Sequence, residues 1–134
     1  MNTTSSIESI MNEPIILGPF AGLPPNPNET RGAHWSKVYK ESQVWKDLVG
    51  YAGLAYKSKT GHQPLKRATV HIHISVGDNR VHDSDNLVAS MKYPIDGLKG
   101  IIITDDSIDN IGIPTYTVDR NKPRQFSITV TPHA

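Results

Sequence analysis

Residues 67–77, RATVHIHISVG, constrain the fold more tightly than any other stretch of the chain. Ala68, Val70, Ile72, Ile74 and Val76 alternate with Thr69, His71, His73 and Ser75. A period of two puts the first set on one side of a pleated strand, so this segment belongs to a sheet with one buried and one polar face. The cover for that face must come from the same chain, because 134 residues suffice for one hydrophobic core and not for two. Val38, Trp45, Leu48, Val49, Ala52, Ala55 and Tyr56 recur at three, four and seven, which predicts an amphipathic helix from Ser36 to Tyr56. Leu87, Met91, Ile95 and Leu98 mark a second helix, with a kink or early break expected at Pro94 and a weak end at Gly97 and Gly100.

The remaining segments are shorter. EPIIL (13–17) reads as a strand, while the prolines of GPFAGLPPNPNETRGAHW predict a long irregular loop from residue 18 onward. IIIT (101–104) fits a short strand or a buried connector. IDNIGIPTYTV and QFSITVT read as two closing strands joined by DRNKPR. Residues 1–12, rich in Ser, Thr and Asn, are expected to be a disordered tail on a domain spanning 13–134. The predicted architecture is a single α+β domain, a mixed or antiparallel sheet packed by two helices.

Composition excludes several chemistries. With no cysteine, a disulfide framework, a thiolate zinc site and a cysteine nucleophile are all ruled out. The first residues lack the basic and apolar regions of a secretory leader, and no stretch approaches the roughly 20 apolar residues of a membrane span. The expectation is a chain without a membrane partner, with cytoplasm as the default compartment. Net charge is +1, but it is unevenly spread. Between residues 31 and 67, eight Lys and Arg stand against Glu41 and Asp47; between 78 and 119, eight Asp stand against Arg80, Lys92 and Lys99. Such a division suits one surface that neutralises a polyanion and another that concentrates cations, and equally two ordinary solvated faces.

The acidic half contains two clusters. In extended backbone Asp83 and Asp85 point to the same side, about 7 Å apart at the Cα, and can share one hard cation. Oxygen-only ligation selects magnesium or manganese over zinc. The competing role is a helix cap, in which one of these carboxylates accepts from the first free amides of the helix behind it; the two roles are compatible. Asp105, Asp106 and Asp109 form the second cluster. A calcium loop beginning at Asp105 fails, since Asn110 and Tyr116 stand where Gly and Glu are needed. His71 and His73 share a strand face and read as a solvent-facing pair, because a zinc site needs more ligands than two. His82 adjoins the first cluster, either orienting a ligand or simply lying at the surface.

Taken in order, PPNPNETRGAHW, a basic helix, a strand, DSDNLVASMKYPIDGL and ITDDSID resemble the RusA-type Holliday junction resolvases, in particular their phage and prophage variants. The resemblance runs from about Gly18 to the C-terminus. It implies a small homodimeric, magnesium-dependent endonuclease, with manganese substituting and no organic cofactor, that binds four-way DNA junctions and nicks two strands symmetrically. If phage-borne, such an enzyme works in the bacterial host cytoplasm. The family's three metal-binding aspartates correspond to Asp83, Asp85 and Asp106, with Asp105 the weaker member of its pair. The family's functional lysine, one helical turn after the second aspartate, is replaced by Ala89. Lys92, seven residues after Asp85 and two turns along the helix, replaces the missing amine in this scheme if its side chain reaches; its other reading is an i,i+4 pair with Asp96.

In this scheme a metal held by Asp83, Asp85 and Asp106 activates a water for in-line attack on phosphorus, and Lys92 offsets transition-state charge. Arg31, His34, Trp35, Lys37 and Lys40 form the expected DNA-backbone contact, Trp35 either stacking on an unpaired base or packing in the core. Two other functions stay open. One is a non-catalytic dimer that binds branched DNA, suggested by Ala89. The other is a magnesium-dependent phosphohydrolase acting on nucleotides, whose binding would depend weakly on salt.

Overall fold

The computed structural model of the chain describes residues 13–25 and 35–133, Trp35 by its backbone alone. In chain order the elements are β1 (Ile15–Ala21), α1 (Trp35–Thr60), β2 (Ala68–Ser75), α2 (Ser84–Ser90), α3 (Lys92–Asp96), α4 (Ile108–Ile111), β3 (Thr115–Asp119) and β4 (Gln125–Pro132). The expected tail at 1–12 lies outside the described residues.

The alternating segment around His71 forms β2, an inner strand of a four-stranded sheet of order β1-β4-β2-β3. β4 runs antiparallel to both β1 and β2, and β2 pairs in parallel with β3. A parallel pair needs a crossover rather than a tight turn; here α2, α3 and α4 make it. The fold is therefore α+β with a mixed sheet.

One sheet face carries the core. Val70, Ile72 and Ile74 of β2, Phe126, Ile128 and Val130 of β4, and Ile15, Leu17 and Phe20 of β1 are buried there. Val49 of α1, Met91, Ile95, Leu98, Ile102, Ile103 and Ile111 close over them, with the Trp45 ring tilted against that of Phe126 at a centroid distance of 5.9 Å. The opposite face is polar. His71 bonds Thr115 and Thr117, and His73 bonds Thr117 and the Asp119 carboxylate at 2.6 Å. The two histidines thus serve as cross-strand partners on the open face, in keeping with a solvent-side pair.

α1 runs four residues beyond the Tyr56 limit. Gly61, at φ 71°, closes it by donating its amide to the Lys57 carbonyl at 2.8 Å, the left-handed cap that glycine adopts without strain. The second helix divides at Met91, before the proline. Pro94 cannot follow an unbroken helix, because its ring would collide with the carbonyl four residues back, at Ser90. The break lets Pro94 fall in the first turn of α3, where no amide is needed. The helical layer is thus one long helix, a broken pair and the single turn α4.

Two local expectations are corrected. β1 does not stop at residue 17 but continues through Gly18 and Pro19 to Ala21, with a register shift between Leu17 and Phe20. An edge strand with a bulge tolerates the proline that a central strand would not. Gly18, at φ 103°, has no room for a side chain beside Phe20 and the Phe126 carbonyl. IIIT is the buried connector of the two alternatives, a turn pinned where Leu65 donates to Ile102 and Thr104 donates to Leu65. IDNIG begins as α4, and only Thr115–Asp119 is strand. No helix among the described residues is long and apolar enough to cross a membrane.

Candidate functional site

Asp83 and Asp85 meet at the start of α2. Asp83 is its N-cap, with extended backbone, and an Oδ1 that accepts the Asp85 amide at 2.9 Å. Capping by Asp83 is therefore real, and the motif DSDN folds this way because a short carboxylate answers an amide the helix cannot satisfy internally. Both carboxylates remain exposed, and Asp85 lies in the first turn, where the helix dipole favours negative charge.

Asp83 also lines a cavity of about 340 Å³ whose wall includes Arg80, His82, Asn86 and Arg124. The arrangement of that wall depends on Asp78. His82 Nε2 approaches Asp78 Oδ1 at 2.7 Å, and Arg80 and Arg124 approach Oδ2 at 3.3 and 3.5 Å. The His82 hydrogen bond, followed by those from Arg80, holds the Asp78 carboxyl down at about 2. His82 therefore faces Asp78, and its link to the acidic pair is through the shared cavity. Arg120 adds a brace, donating to the carbonyls of Asp78 and Arg80 at 3.2 and 2.8 Å.

The second acidic cluster converges on Lys99. Its Nζ stands 3.4 Å from Asp106, 3.9 Å from Asp105 and 3.8 Å from Asp96. Burial pulls the Lys99 ammonium down, but the charges of Asp106, Asp96 and Asp105 outweigh it and raise its pKa above the ordinary value. Asp96 Oδ1 is buried with no hydrogen bond within reach, so this ammonium is the charge that offsets it. Asp96 thus pairs with Lys99 rather than with Lys92. Lys92 is exposed at the start of α3, and the break at Met91 removes the continuous helix that would phase it with Asp85.

The remaining residues are dispersed. Lys37 and Lys40 are exposed in the first turns of α1; Arg31, His34 and the Trp35 side chain lie outside the described residues. Asp109 is exposed in α4, and its neighbour Asn110 ties that turn to the Lys66 carbonyl.

Among the described residues, no group of three or more His, Asp or Glu is gathered closely enough to hold a metal as a protein cage. Magnesium seldom needs one, since it keeps several waters and is held by one or two carboxylates together with substrate phosphates. The exposed oxygens of Asp83 and Asp85 fit that kind of binding by donor type. Arg80, Arg124, Asp78 and Lys99 were not singled out by sequence reasoning. Arg80 is near Asp83 in the chain, but Arg124 reaches the cavity only through the β3–β4 link, and Lys99 meets Asp106 only through the turn after α3. No family model and no curated protein matches this chain.

Proposed function

We propose that this protein is a magnesium-dependent endonuclease of the RusA type, acting as a homodimer on branched DNA and above all on four-way junctions. The observation that carries the reading is the exposed pair Asp83 and Asp85, of which Asp83 lines a cavity walled by Arg80, His82 and Arg124. Carboxylates for a cation beside guanidinium groups for a phosphate are the two requirements of phosphodiester hydrolysis.

Bound magnesium supplies an acidified water and a neutralising charge on the phosphate oxygen. Asp83 and Asp85 are the residues that would hold it; Asp106, the third expected ligand, is engaged with Lys99 and is not gathered with them. Arg80 and Arg124 are exposed enough to receive a backbone phosphate while Asp78 restrains them in place. Lys37 and Lys40, exposed at the start of α1, are the described members of the proposed DNA-backbone contact, to which Arg31, His34 and Trp35 belong by sequence. The amine absent at Ala89 has two candidate sources: Lys92, and Lys99 through its contact with Asp106.

The second reading is a non-catalytic branched-DNA-binding dimer, favoured by Ala89 and by the engagement of Asp106 with Lys99. One assay separates the two: cleavage of a labelled synthetic four-way junction beside linear duplex of the same sequence, in magnesium or manganese and in EDTA. Metal-dependent paired nicks confined to the junction are the expected result. Tight junction binding without nicks would establish the binder, and activity on mononucleotides with little salt dependence would point to a phosphohydrolase.

A further inference from the structure

We infer that His71 and His73 form a chelating site for a borderline divalent transition-metal cation, of the zinc and copper class, on the open face of the sheet. The inference stands on β2 and β3 alone and does not rest on the nuclease reading.

The two imidazoles are two residues apart on β2 and so share one side of the sheet. Their directions are set by β3, which places Thr115 beside His71 and Thr117 beside His73. His71 Nε2 stands 3.0 Å from Thr117 Oγ1, and His73 Nδ1 stands 2.6 Å from the same atom. One nitrogen from each ring is therefore directed at a common point.

The far nitrogen of each ring is held. His73 donates from Nε2 to Asp119 Oδ2 at 2.6 Å; a carboxylate only accepts, so in the neutral ring Nδ1 carries the lone pair and turns it toward the common point. Thr115 Oγ1, 2.6 Å from His71 Nδ1, is placed to accept the proton there, which presents Nε2 in the same way. An imidazole whose far N–H is fixed by a carboxylate is the arrangement that metal-binding histidines use, because the acceptor selects the tautomer and makes the ligating nitrogen more basic. Asp119 is itself anchored, its Oδ1 accepting the Asn121 amide at 2.9 Å. It acts as a positioning residue rather than a ligand.

The surroundings leave the pair accessible. Ser127 and Thr129 stand across from His73 and His71 on β4, so short hydroxyl side chains flank the imidazoles, and the His73 side chain is 43% exposed. Two nitrogens do not fill a shell of four, so waters and the Thr117 hydroxyl complete it and the site is open and exchangeable rather than structural. Ligand type separates it from the carboxylates proposed for magnesium: imidazole suits zinc, nickel and copper, whereas magnesium takes oxygen.

The test is calorimetric titration of the full chain with zinc chloride and with copper(II) chloride, with electron paramagnetic resonance for copper. His34, His62, His82 and His133 are present in every variant, so the double variant His71→Gln with His73→Gln sets the background. Beyond that background the wild type is expected to bind one equivalent at micromolar concentration, copper more tightly than zinc, with hyperfine splitting from two imidazole nitrogens. His71→Gln and His73→Gln should each weaken binding at least ~100-fold, and Asp119→Asn ~10-fold with the two-nitrogen spectrum kept. Millimolar magnesium should displace neither ion. Asp119→Asn retains both ligands, so it tests the site even if a glutamine variant fails to fold. A wild type that binds no more than the double variant, a copper spectrum with one nitrogen, an Asp119→Asn variant of unchanged affinity, or displacement by magnesium would each overturn the inference.

Discussion

Asp83 accepts the backbone amide of Asp85 at 2.9 Å, so the carboxylate that would hold a cation also starts the helix carrying its companion. Structural and chemical roles can be separated there by substitution. Asp83→Asn keeps a capping oxygen and should unfold within a few tenths of a kcal/mol of wild type, whereas Asp83→Ala should lose about 1 kcal/mol. Both should lose metal-dependent cleavage. Urea unfolding beside the junction assay checks the pair, and cleavage surviving in the alanine variant would remove Asp83 from the site.

Asp85 makes the cleaner catalytic test. Asp85→Asn leaves the Asp83 cap in place, so junction binding should persist while cleavage falls by at least ~100-fold. Gel shifts in EDTA report the binding, and nicking in magnesium the rate. Full activity would rule Asp85 out.

The two candidate amines differ in their surroundings. Lys99 touches Asp106 and offsets the buried oxygen of Asp96, whereas Lys92 is exposed. Lys99→Met should therefore destabilise the fold by about 1–3 kcal/mol, and Lys92→Met by less than about 0.5 kcal/mol. If Lys92 replaces the amine missing at Ala89, its variant should still lose cleavage while keeping its melting temperature. Loss of cleavage confined to Lys99→Met would assign the role to Lys99.

The Asp78 network has a defined acid limb. Its folded pKa, about 2, is below the ordinary 3.8, so the unfolded chain binds this proton more readily and stability falls as pH drops. The contribution is complete well above pH 3.8 and is lost as pH falls toward about 2. Urea midpoints measured across that range should decline less steeply in Asp78→Asn than in wild type, and equal slopes would show that the network contributes nothing.

Gly97 marks the closest approach of α1 to the turn after α3. A methyl group there would overlap the Lys46 carbonyl oxygen and press on Val49. Gly97→Ala should cost about 1–3 kcal/mol, visible as a lower melting temperature. An unchanged melting temperature would mean that α1 shifts freely.

The sequence by itself determined the parts governed by local physics. Alternation at 68–76 made β2 a strand with one buried face, the spacing of Trp45, Val49, Ala52 and Tyr56 made α1 a helix, and DSDN placed a carboxylate cap before α2. Short-range rules fix these features, because the neighbours that decide them lie within a turn or a pleat. Tertiary structure decided the rest. β1 runs through Pro19 because β4 supplies an edge that accommodates a bulge. Arg124 joins Arg80 and His82 at Asp78, and Lys99 joins Asp96 and Asp106, only when loops distant in sequence are brought together. Charges act across space rather than along the chain, so their partners emerge only in the folded molecule.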